Sequence, residues 1–451
     1  MMWWRKGLVS LGALALGGCA TRGSIAITCE GFNKWVKPLP VSRLVQDIQA
    51  DAQIKIELYP AKSVGGVESD KAQGPLEASL AEMVRLQTGG TNALDGGGDS
   101  LLLLSGGGQW GAFGASYLST LAELGGSPAP NVRILTGVST GALQALFIAI
   151  DDPAAYEALK RAYLPTSEKE IVNRNSPALA ALTGSVAGLK PLQRRIEAAL
   201  CAPADRGKCA LIDALAYSKR RVFVGFVEAG TGEFVYADVS AIALSGLSSS
   251  ATDGQRENAK QCLTGVVLAS AAMPVFFQRV TINNRTYYDG GVRQSVFEAG
   301  VTESLAAALA RVKFEREKQR DFRPVLSPSI YVVRNGPTQL LGENGDPDVD
   351  TSADEKADAL TAAFRAEAIV VNQLEVGSIA ALRLSHPTGP INLATADGYH
   401  MDFPLNDGSG AFQKACVKKK KKKGIMFDPE FMLCLQAFGR SKALQIGRAH
   451  V

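Results

Sequence analysis

Histidine is scarce in this sequence, which has three in 451 residues, and no C-x-x-C pair or cluster of histidine and cysteine is present. Zinc sites draw most of their ligands from these two residue types, so the sequence gives no indication of a metal site. The same scarcity leaves only His386, His400 and His450 as imidazole groups for acid–base work. We expect no metal and no organic cofactor.

A strong net charge is also missing. The formal charge is +4, but eight positive charges lie in Arg5, Lys6 and the six-residue run Lys418–Lys423. Without these eight the charge becomes −4, so the body of the protein is mildly acidic and nothing in it favours nucleic acid as a partner. The lysine run is expected to be a solvated stretch, with attraction to anionic lipid head groups as the alternative.

The apolar run near the N-terminus is too short to span a bilayer as a helix. Arg5 and Lys6 precede the apolar run Gly7–Gly18, and Cys19 follows it. This pattern resembles a bacterial lipoprotein signal, in which the cysteine after the cleavage site becomes the acylated first residue. Ala20 at the next position favours, by the same resemblance, the outer membrane of the cell envelope. A plain secretory signal with an incidental cysteine is the alternative.

Six cysteines remain beyond Cys19, and an even number in an exported chain allows up to three disulfides. Cys201 with Cys209 would close a short loop, and Cys416 with Cys434 a longer one. We favour these two pairs, although some of the six could instead be buried free thiols.

Two glycine-rich turns each follow a short apolar run and lead into a helical pattern. The first is Ser105–Gly111 (SGGGQWG), which follows Leu101–Leu104. The second is Gly137–Gly141 (GVSTG), which follows Val132–Thr136. Apolar runs bounded by turn signals favour buried parallel strands, and their alternation with helices predicts right-handed βαβ units. Further strands are expected at Arg221–Glu228, Glu233–Val239 and Ser329–Val333, and a long helical region at Ala353–Leu384.

The two turns together indicate acyl transfer by a serine nucleophile. The second matches G-x-S-x-G, the nucleophile elbow, in which a tight strand-to-helix turn exposes a serine, here Ser139. The first offers the backbone N–H groups of Gly106, Gly107 and Gly108, which could hold a developing oxyanion. The first turn also satisfies the dinucleotide fingerprint G-x-G-x-x-G, but the second strand ends without the carboxylate that such sites use for the ribose.

A serine hydroxyl attacks an ester only when a base accepts its proton. His386 and His400 are in no recognisable triad context, although triad partners need not be adjacent in sequence. Asp289 ends an aromatic apolar run just before Gly290 and Gly291, and glycines there would let another loop approach closely. Its pKa in water is about 4, which makes it a weak base, but in a partly dry cleft it can orient the attack and shuttle the proton.

Four motifs in this order and spacing resemble the patatin-like phospholipases: the two glycine turns, the segment Ala269–Phe277 (ASAAMPVFF), and Asp289-Gly290-Gly291. The resemblance implies a three-layer α/β/α sandwich with a mainly parallel central sheet. It also implies a Ser–Asp dyad without histidine. Ser139 would be the nucleophile and Asp289 the base, with Gly106, Gly107 and Gly108 forming an oxyanion loop helped by the N–H of Thr140.

One position departs from the family pattern, because Trp110 stands where the glycine loop usually carries a basic residue. Tryptophan supplies bulk and one indole N–H, but no charge. The five residues that could line an acyl channel, or could equally be core, are Trp110, Phe113, Met273, Phe276 and Phe277.

The expected substrate is a phospholipid, a lysophospholipid or another acyl lipid, reached from a membrane surface through the lipid anchor. The expected reaction is hydrolysis through an acyl-enzyme. Two alternatives stay open: a Ser-His-Asp esterase, and a non-catalytic lipid-binding surface lipoprotein that keeps the fold.

We divide the chain into four parts. Residues 1–19 are the signal peptide, and residues 20–100 an N-terminal region that ends in a linker rich in glycine, asparagine and aspartate. Residues 101–390 are the catalytic domain. Residues 391–451 are a C-terminal extension with the lysine run, and its last six residues resemble a translated sequencing adapter.

Overall fold

The computed structural model describes residues 23–39, 74–86, 99–125, 131–201, 209–322, 324–340, 359–386, 389–416 and 425–449. Cys19, His450 and the lysine run lie outside these residues, as does most of the predicted linker.

The described strands are β1 Ser24–Ile27, β2 Val36–Pro38, β3 Ser100–Leu104, β4 Val132–Val138, β5 Asn173–Arg174, β6 Ser185–Gly188, β7 Arg221–Glu228, β8 Phe234–Asp238, β9 Val275–Phe277, β10 Arg279–Ile282, β11 Arg285–Asp289, β12 Ser329–Val333, β13 Ile391–Ala394, β14 Phe403–Pro404 and β15 Phe412–Gln413. The described α-helices are α1 Phe32–Trp35, α2 Pro75–Leu86, α3 Gly111–Gly125, α4 Thr140–Ile150, α5 Pro153–Ala162, α6 Pro177–Thr183, α7 Lys190–Leu200, α8 Ala210–Tyr217, α9 Val239–Ser245, α10 Asp253–Ser270, α11 Glu298–Lys318, α12 Ala359–Ser385 and α13 Pro429–Ala449.

The large central sheet has the strand order β1-β10-β11-β7-β4-β3-β12-β13, with β8 also paired to β7 and β2 paired to β8. The five neighbouring strands β7, β4, β3, β12 and β13 are all parallel. Antiparallel pairing joins β10 to β11 and β11 to β7 on one side. The prediction of a mainly parallel central sheet is therefore confirmed, and the strands expected from the apolar runs fall in β3, β4, β7, β8 and β12.

Helices cover both faces of this sheet, because its central strands are apolar on both sides. Along β3, Leu101 and Leu103 belong to one buried cluster and Leu102 and Leu104 to the other. Side chains alternate between the two faces of a strand, so the clusters lie on opposite faces. One cluster includes residues of α2 and α11, and the other residues of α3, α4 and α10. The predicted three-layer α/β/α architecture is confirmed.

Three disulfides brace the described chain. Cys201–Cys209 and Cys416–Cys434 are the two predicted pairs, and both are present. The third pair, Cys29–Cys262, ties the segment after β1 to α10, 233 residues later in the sequence. Cross-links that close long loops restrict the unfolded chain most.

The folded body continues past residue 390. Strand β13 pairs with β12 at the edge of the central sheet, and α13 packs along α3. The four-part division of the chain stays a prediction. Among the described helices, none combines the length and apolar character needed to cross a membrane.

Candidate active site

Ser139 lies in the tight turn between β4 and α4, with φ 54° and ψ −121°. A non-glycine residue at positive φ costs about 1–3 kcal/mol and persists only where its surroundings hold it. The two flanking positions have to be glycine because other backbone atoms approach them closely. A Cβ added to Gly137 would lie 2.4 Å from the carbonyl oxygen of Gly141, and one added to Gly141 would lie 2.4 Å from that of Leu104. The motif therefore lets the two glycine turns dock against each other.

Ser270, the last residue of α10, holds the backbone of this turn. The N–H of Ser139 donates to Ser270 Oγ at 2.8 Å, and that hydroxyl donates to the carbonyl oxygen of Gly225 at 2.7 Å. The serine elbow is thus fixed to both α10 and β7.

Sheet register brings Asp289 to Ser139 across 150 positions of sequence. Asp289 pairs with Phe226 on β7, and the adjacent Gly225 pairs with Val138 on β4, the residue before the serine. Gly290 completes the approach, since a Cβ there would lie 2.8 Å from a methyl carbon of Val138. The Ser139 hydroxyl lies close enough to the Asp289 carboxylate to lower its pKa.

The Asp289 carboxyl is 2% exposed, and burial raises its pKa to about 7. The nearby Ser139 hydroxyl and the hydrogen bond from the Gly291 N–H, at 2.8 Å, lower the pKa in part. The negative charges of Glu367 and Glu375 raise it further. A carboxylate with a pKa near the working pH is a far better proton acceptor than one in water.

The first glycine turn passes directly beside the serine. A Cβ added to Gly106 would lie 3.3 Å from Ser139 Cβ. Gly107 and Gly108 have φ values of 145° and 55°, a backbone conformation that favours glycine. The N–H of Gly106 already donates to Ser295 Oγ at 3.0 Å. This leaves Gly107, Gly108 and Thr140 as the predicted oxyanion donors whose N–H groups have no hydrogen bond to another described residue.

Residues 102–299, which contain both turns, Ser139 and Asp289, match the sequence model of the patatin-like phospholipases. This part of the chain is similar to the patatin-like phospholipases. A crystal structure of VipD from Legionella pneumophila is similar at 12% identity and a TM-score of 0.31, covering 78% of this chain and 67% of that chain. No curated protein matches the chain.

A cavity of about 1340 Å³ opens from Ser139. One wall is a single face of α4, with Ser139, Leu143, Phe147 and Ile150 following one another at helical spacing. The other walls come mainly from α5, α7 and α8, and are lined by the apolar residues Ala155, Ala158, Ala162, Ile171, Leu189, Leu192, Ile196, Ala199, Leu211 and Ala214. The 11 residues of α4 extend over roughly 16 Å.

The aromatic residues that were predicted to line an acyl channel lie in different parts of the structure. Phe277 lines the cavity, whereas Phe113 is fully buried in the core. Trp110 packs edge-on against Tyr399 and Phe431, with ring centroids 4.8 and 5.1 Å apart. The tryptophan that replaces the usual basic residue therefore joins the glycine loop to the C-terminal part of the fold.

The structure places His386 away from the Ser139–Asp289 pair. His386 is buried near Gly389 and Ser327, just before β12 begins, whereas Ser139 follows the carboxyl end of the parallel strand β4. His386 therefore lies at the opposite edge of the sheet. His400 stacks edge-on with Tyr399, and it is absent from the groups that influence Asp289. Among the described residues, no group of three His, Cys, Asp or Glu side chains could hold a metal ion.

Sequence reasoning named the residues that touch the serine but missed those that hold them. Ser270, Ser295, Asn335 and Glu375 each bond to one of the two glycine turns or to a side chain that does. A usable signal existed for Asn335, because a polar residue directly after a predicted parallel strand lies at the edge of the sheet where ligands bind.

Proposed function

We propose that this protein hydrolyses fatty-acyl esters, with phospholipids or lysophospholipids as the substrate class. The observation that carries the proposal is the position of the Ser139 hydroxyl next to the buried Asp289 carboxylate, beside a glycine loop and at the mouth of a largely apolar cavity. A lipid ester hydrolase is the activity to which the family match also points.

The mechanism follows from these positions. Asp289 accepts the proton as Ser139 Oγ attacks the acyl carbonyl, and the backbone N–H groups of Gly107, Gly108 and Thr140 hold the resulting oxyanion. The oxyanion collapses, the leaving alcohol takes the proton from Asp289, and the acyl group remains on the serine. Asp289 then takes a proton from water as the water oxygen attacks the acyl-enzyme. The second oxyanion collapses, the bond from Ser139 Oγ to the acyl carbon breaks, and Ser139 Oγ takes the proton from Asp289 as the fatty acid leaves.

The apolar lining and the length of the cavity favour a long acyl substrate over a small polar ester. Each methylene group moved from water into apolar surroundings contributes about 0.8 kcal/mol. The length of α4 matches roughly a dozen carbons of an extended chain, taking a C–C bond of about 1.5 Å along a zigzag. A fatty-acyl chain bound along this helix would place its carbonyl at Ser139.

The test is release of fatty acid from phospholipid vesicles by the wild type, Ser139→Ala and Asp289→Asn. We expect each substitution to lower the rate by about 10⁴-fold, as removal of a member of a catalytic unit does in other serine hydrolases. Ser119→Ala is the matched control, because this buried hydroxyl on α3 donates only to the carbonyl oxygen of Tyr156. His386→Ala and His400→Ala should leave turnover within twofold. Unchanged release by Ser139→Ala would contradict the proposal.

We also propose that the protein works at the surface of a bacterial outer membrane, held there by lipids on Cys19. The support is the sequence of the first 20 residues, since Cys19 lies outside the described structure. Several acyl chains on one cysteine anchor stably where a single chain does not.

A further inference from the structure

Three polar side chains form a buried chain of contacts behind the glycine loop. Ser295 accepts the Gly106 N–H at 3.0 Å and donates its own hydroxyl to Glu375 Oε1 at 2.5 Å. Glu375 Oε2 lies 3.0 Å from a guanidinium nitrogen of Arg334. Ser295, Glu375 and Arg334 are 0%, 4% and 3% exposed. The chain therefore connects α12 and the end of β12 to the backbone of the loop.

Asn335, the residue after Arg334, also forms hydrogen bonds with the glycine loop. Asn335 donates its backbone N–H to Ser105 Oγ at 2.9 Å and its side-chain amide to the Ser105 carbonyl oxygen at 2.8 Å. A Cβ added to Gly107 would lie 1.9 Å from the Asn335 carbonyl oxygen. The loop is thus held between Asn335 and Ser295, and Ser295 is held by the Glu375–Arg334 ion pair.

Stability alone is a poor reason for such an arrangement. Removing two charges from water costs several kcal/mol each, and replacing a buried ion pair by apolar residues is often neutral or stabilising. The pair here contacts the hydroxyl that binds the loop N–H nearest the nucleophile. Buried polar groups in this position hold neighbouring donors in a fixed geometry, which is what an oxyanion site requires.

We propose that Ser295, Glu375 and Arg334 are positioning residues that set the conformation of the glycine loop, so that the Gly107 and Gly108 N–H groups face the oxyanion. None of the three touches the substrate. They act through Gly106, whose N–H is committed to Ser295 and is not an oxyanion donor. This inference rests on the proposed function.

The test measures steady-state kinetics on a soluble ester for Ser295→Ala, Glu375→Gln, Glu375→Leu and the control Ser119→Ala. Loss of one oxyanion donor typically lowers kcat by 10²–10³-fold, and a misplaced donor costs part of this. We expect Ser295→Ala to lower kcat by about 10- to 100-fold with KM within twofold. Glu375→Gln keeps an acceptor for Ser295, so it should retain clearly more activity than Glu375→Leu.

The pH profile separates positioning from general loss of structure. Glu375 and Glu367 are the negative charges that act on Asp289, and Arg334 is the cation paired with Glu375. Removing the Glu375 charge lowers the pKa of Asp289, so Glu375→Gln should shift the acid limb of kcat/KM to lower pH. Ser119→Ala should leave the limb in place.

Two results would overturn the inference. If the wild type hydrolyses the ester and Ser295→Ala keeps its kcat within twofold, the positioning role is wrong while the proposed function stands. If the wild type is inactive, the proposed function fails and the inference fails with it. Should Ser295→Ala not fold, judged by thermal unfolding, the two Glu375 variants decide: a folded Glu375→Leu with the same kcat as Glu375→Gln would overturn the inference.

Discussion

At the scale of the residue, Asp289 has to be both buried and basic. Burial removes water from the carboxylate and so raises its pKa to about 7. The nearby Ser139 hydroxyl and the Gly291 N–H lower the pKa in part, so part of the population stays ionised. In the proposed mechanism, this pKa lets Asp289 accept the serine proton and return it to the leaving alcohol.

The pH dependence of activity follows from this pKa. Only ionised Asp289 can act as the base, so kcat/KM should rise with pH through about 7 and level off above it, as measured on a soluble ester. A profile that is flat between pH 5 and 9 would contradict the assignment of the base.

The contribution of Asp289 to the free energy of unfolding changes with pH in the opposite direction to the activity. The folded state binds the Asp289 proton more tightly than the unfolded state, so this contribution is present below the unfolded pKa and is lost as pH rises through about 7. At pH 8 the inactive Asp289→Asn variant should unfold at a temperature equal to or above that of the wild type, which also shows that its inactivity is not misfolding.

The sequence pointed to the two residues of the proposed dyad, but not to the residues that hold them in place. Ser139 and Asp289 lie in short motifs with glycines at fixed offsets, and the reason for those glycines is local: close backbone approach. Ser295 and Glu375 are 80 positions apart, and no local pattern marks either one. The two side chains come into contact only when α12 packs beside the Gly290–Val292 turn.

At the scale of the element, α4 and α5 form a hairpin that bounds the cavity. Asp151 and Asp152 separate the two helices, and the Tyr163 hydroxyl, at the end of α5, donates to the carbonyl oxygen of Thr140 at the start of α4. The helices therefore run in opposite directions. Ala162 lies near the serine and Ala155 lies far from it, so Ala158 stands about halfway along the cavity.

A bulky residue halfway along the cavity should limit the length of the acyl chain. Ala158→Phe is expected to leave hydrolysis of butyryl esters within twofold and to lower that of dodecanoyl esters by about tenfold or more, measured as kcat/KM across a series of chain lengths. Ala154→Phe is the matched control, since Ala154 is an exposed residue of the same helix outside the cavity lining. Equal effects on short and long esters would contradict this placement of the chain.

Strands were easier to predict than their order. Continuous apolar runs such as Leu101–Leu104 mark buried parallel strands, and β3, β4, β7 and β12 follow that rule. The antiparallel pairing of β10 and β11 was not predicted, because these strands alternate exposed and buried residues and β11 pairs with β7, which is far away in sequence.

At the scale of the whole molecule, the N-terminal segment links the proposed anchor to the site. Strand β1 begins at Ser24, five residues after Cys19, which is at most about 18 Å of chain. The Cys29–Cys262 disulfide joins the segment after β1 to α10, and α10 ends at Ser270, which holds the Ser139 backbone. An anchor at Cys19 would keep the body of the protein within a short distance of the membrane.

The anchor predicts the location of the protein. In cells fed labelled palmitate, the wild type should incorporate label and fractionate with outer membranes, whereas Cys19→Ala should lose both properties. Thr21→Ala is a neighbouring control that leaves the cysteine in place. Membrane association of unlabelled Cys19→Ala at the wild-type level would contradict the proposal.

The most direct test of the account is to locate the adduct that a fluorophosphonate probe forms with the purified protein. The account predicts one modification, on the peptide that contains Ser139, formed at least 100-fold more slowly in Asp289→Asn than in the wild type. Modification of a different serine, or an unchanged rate in Asp289→Asn, would contradict it.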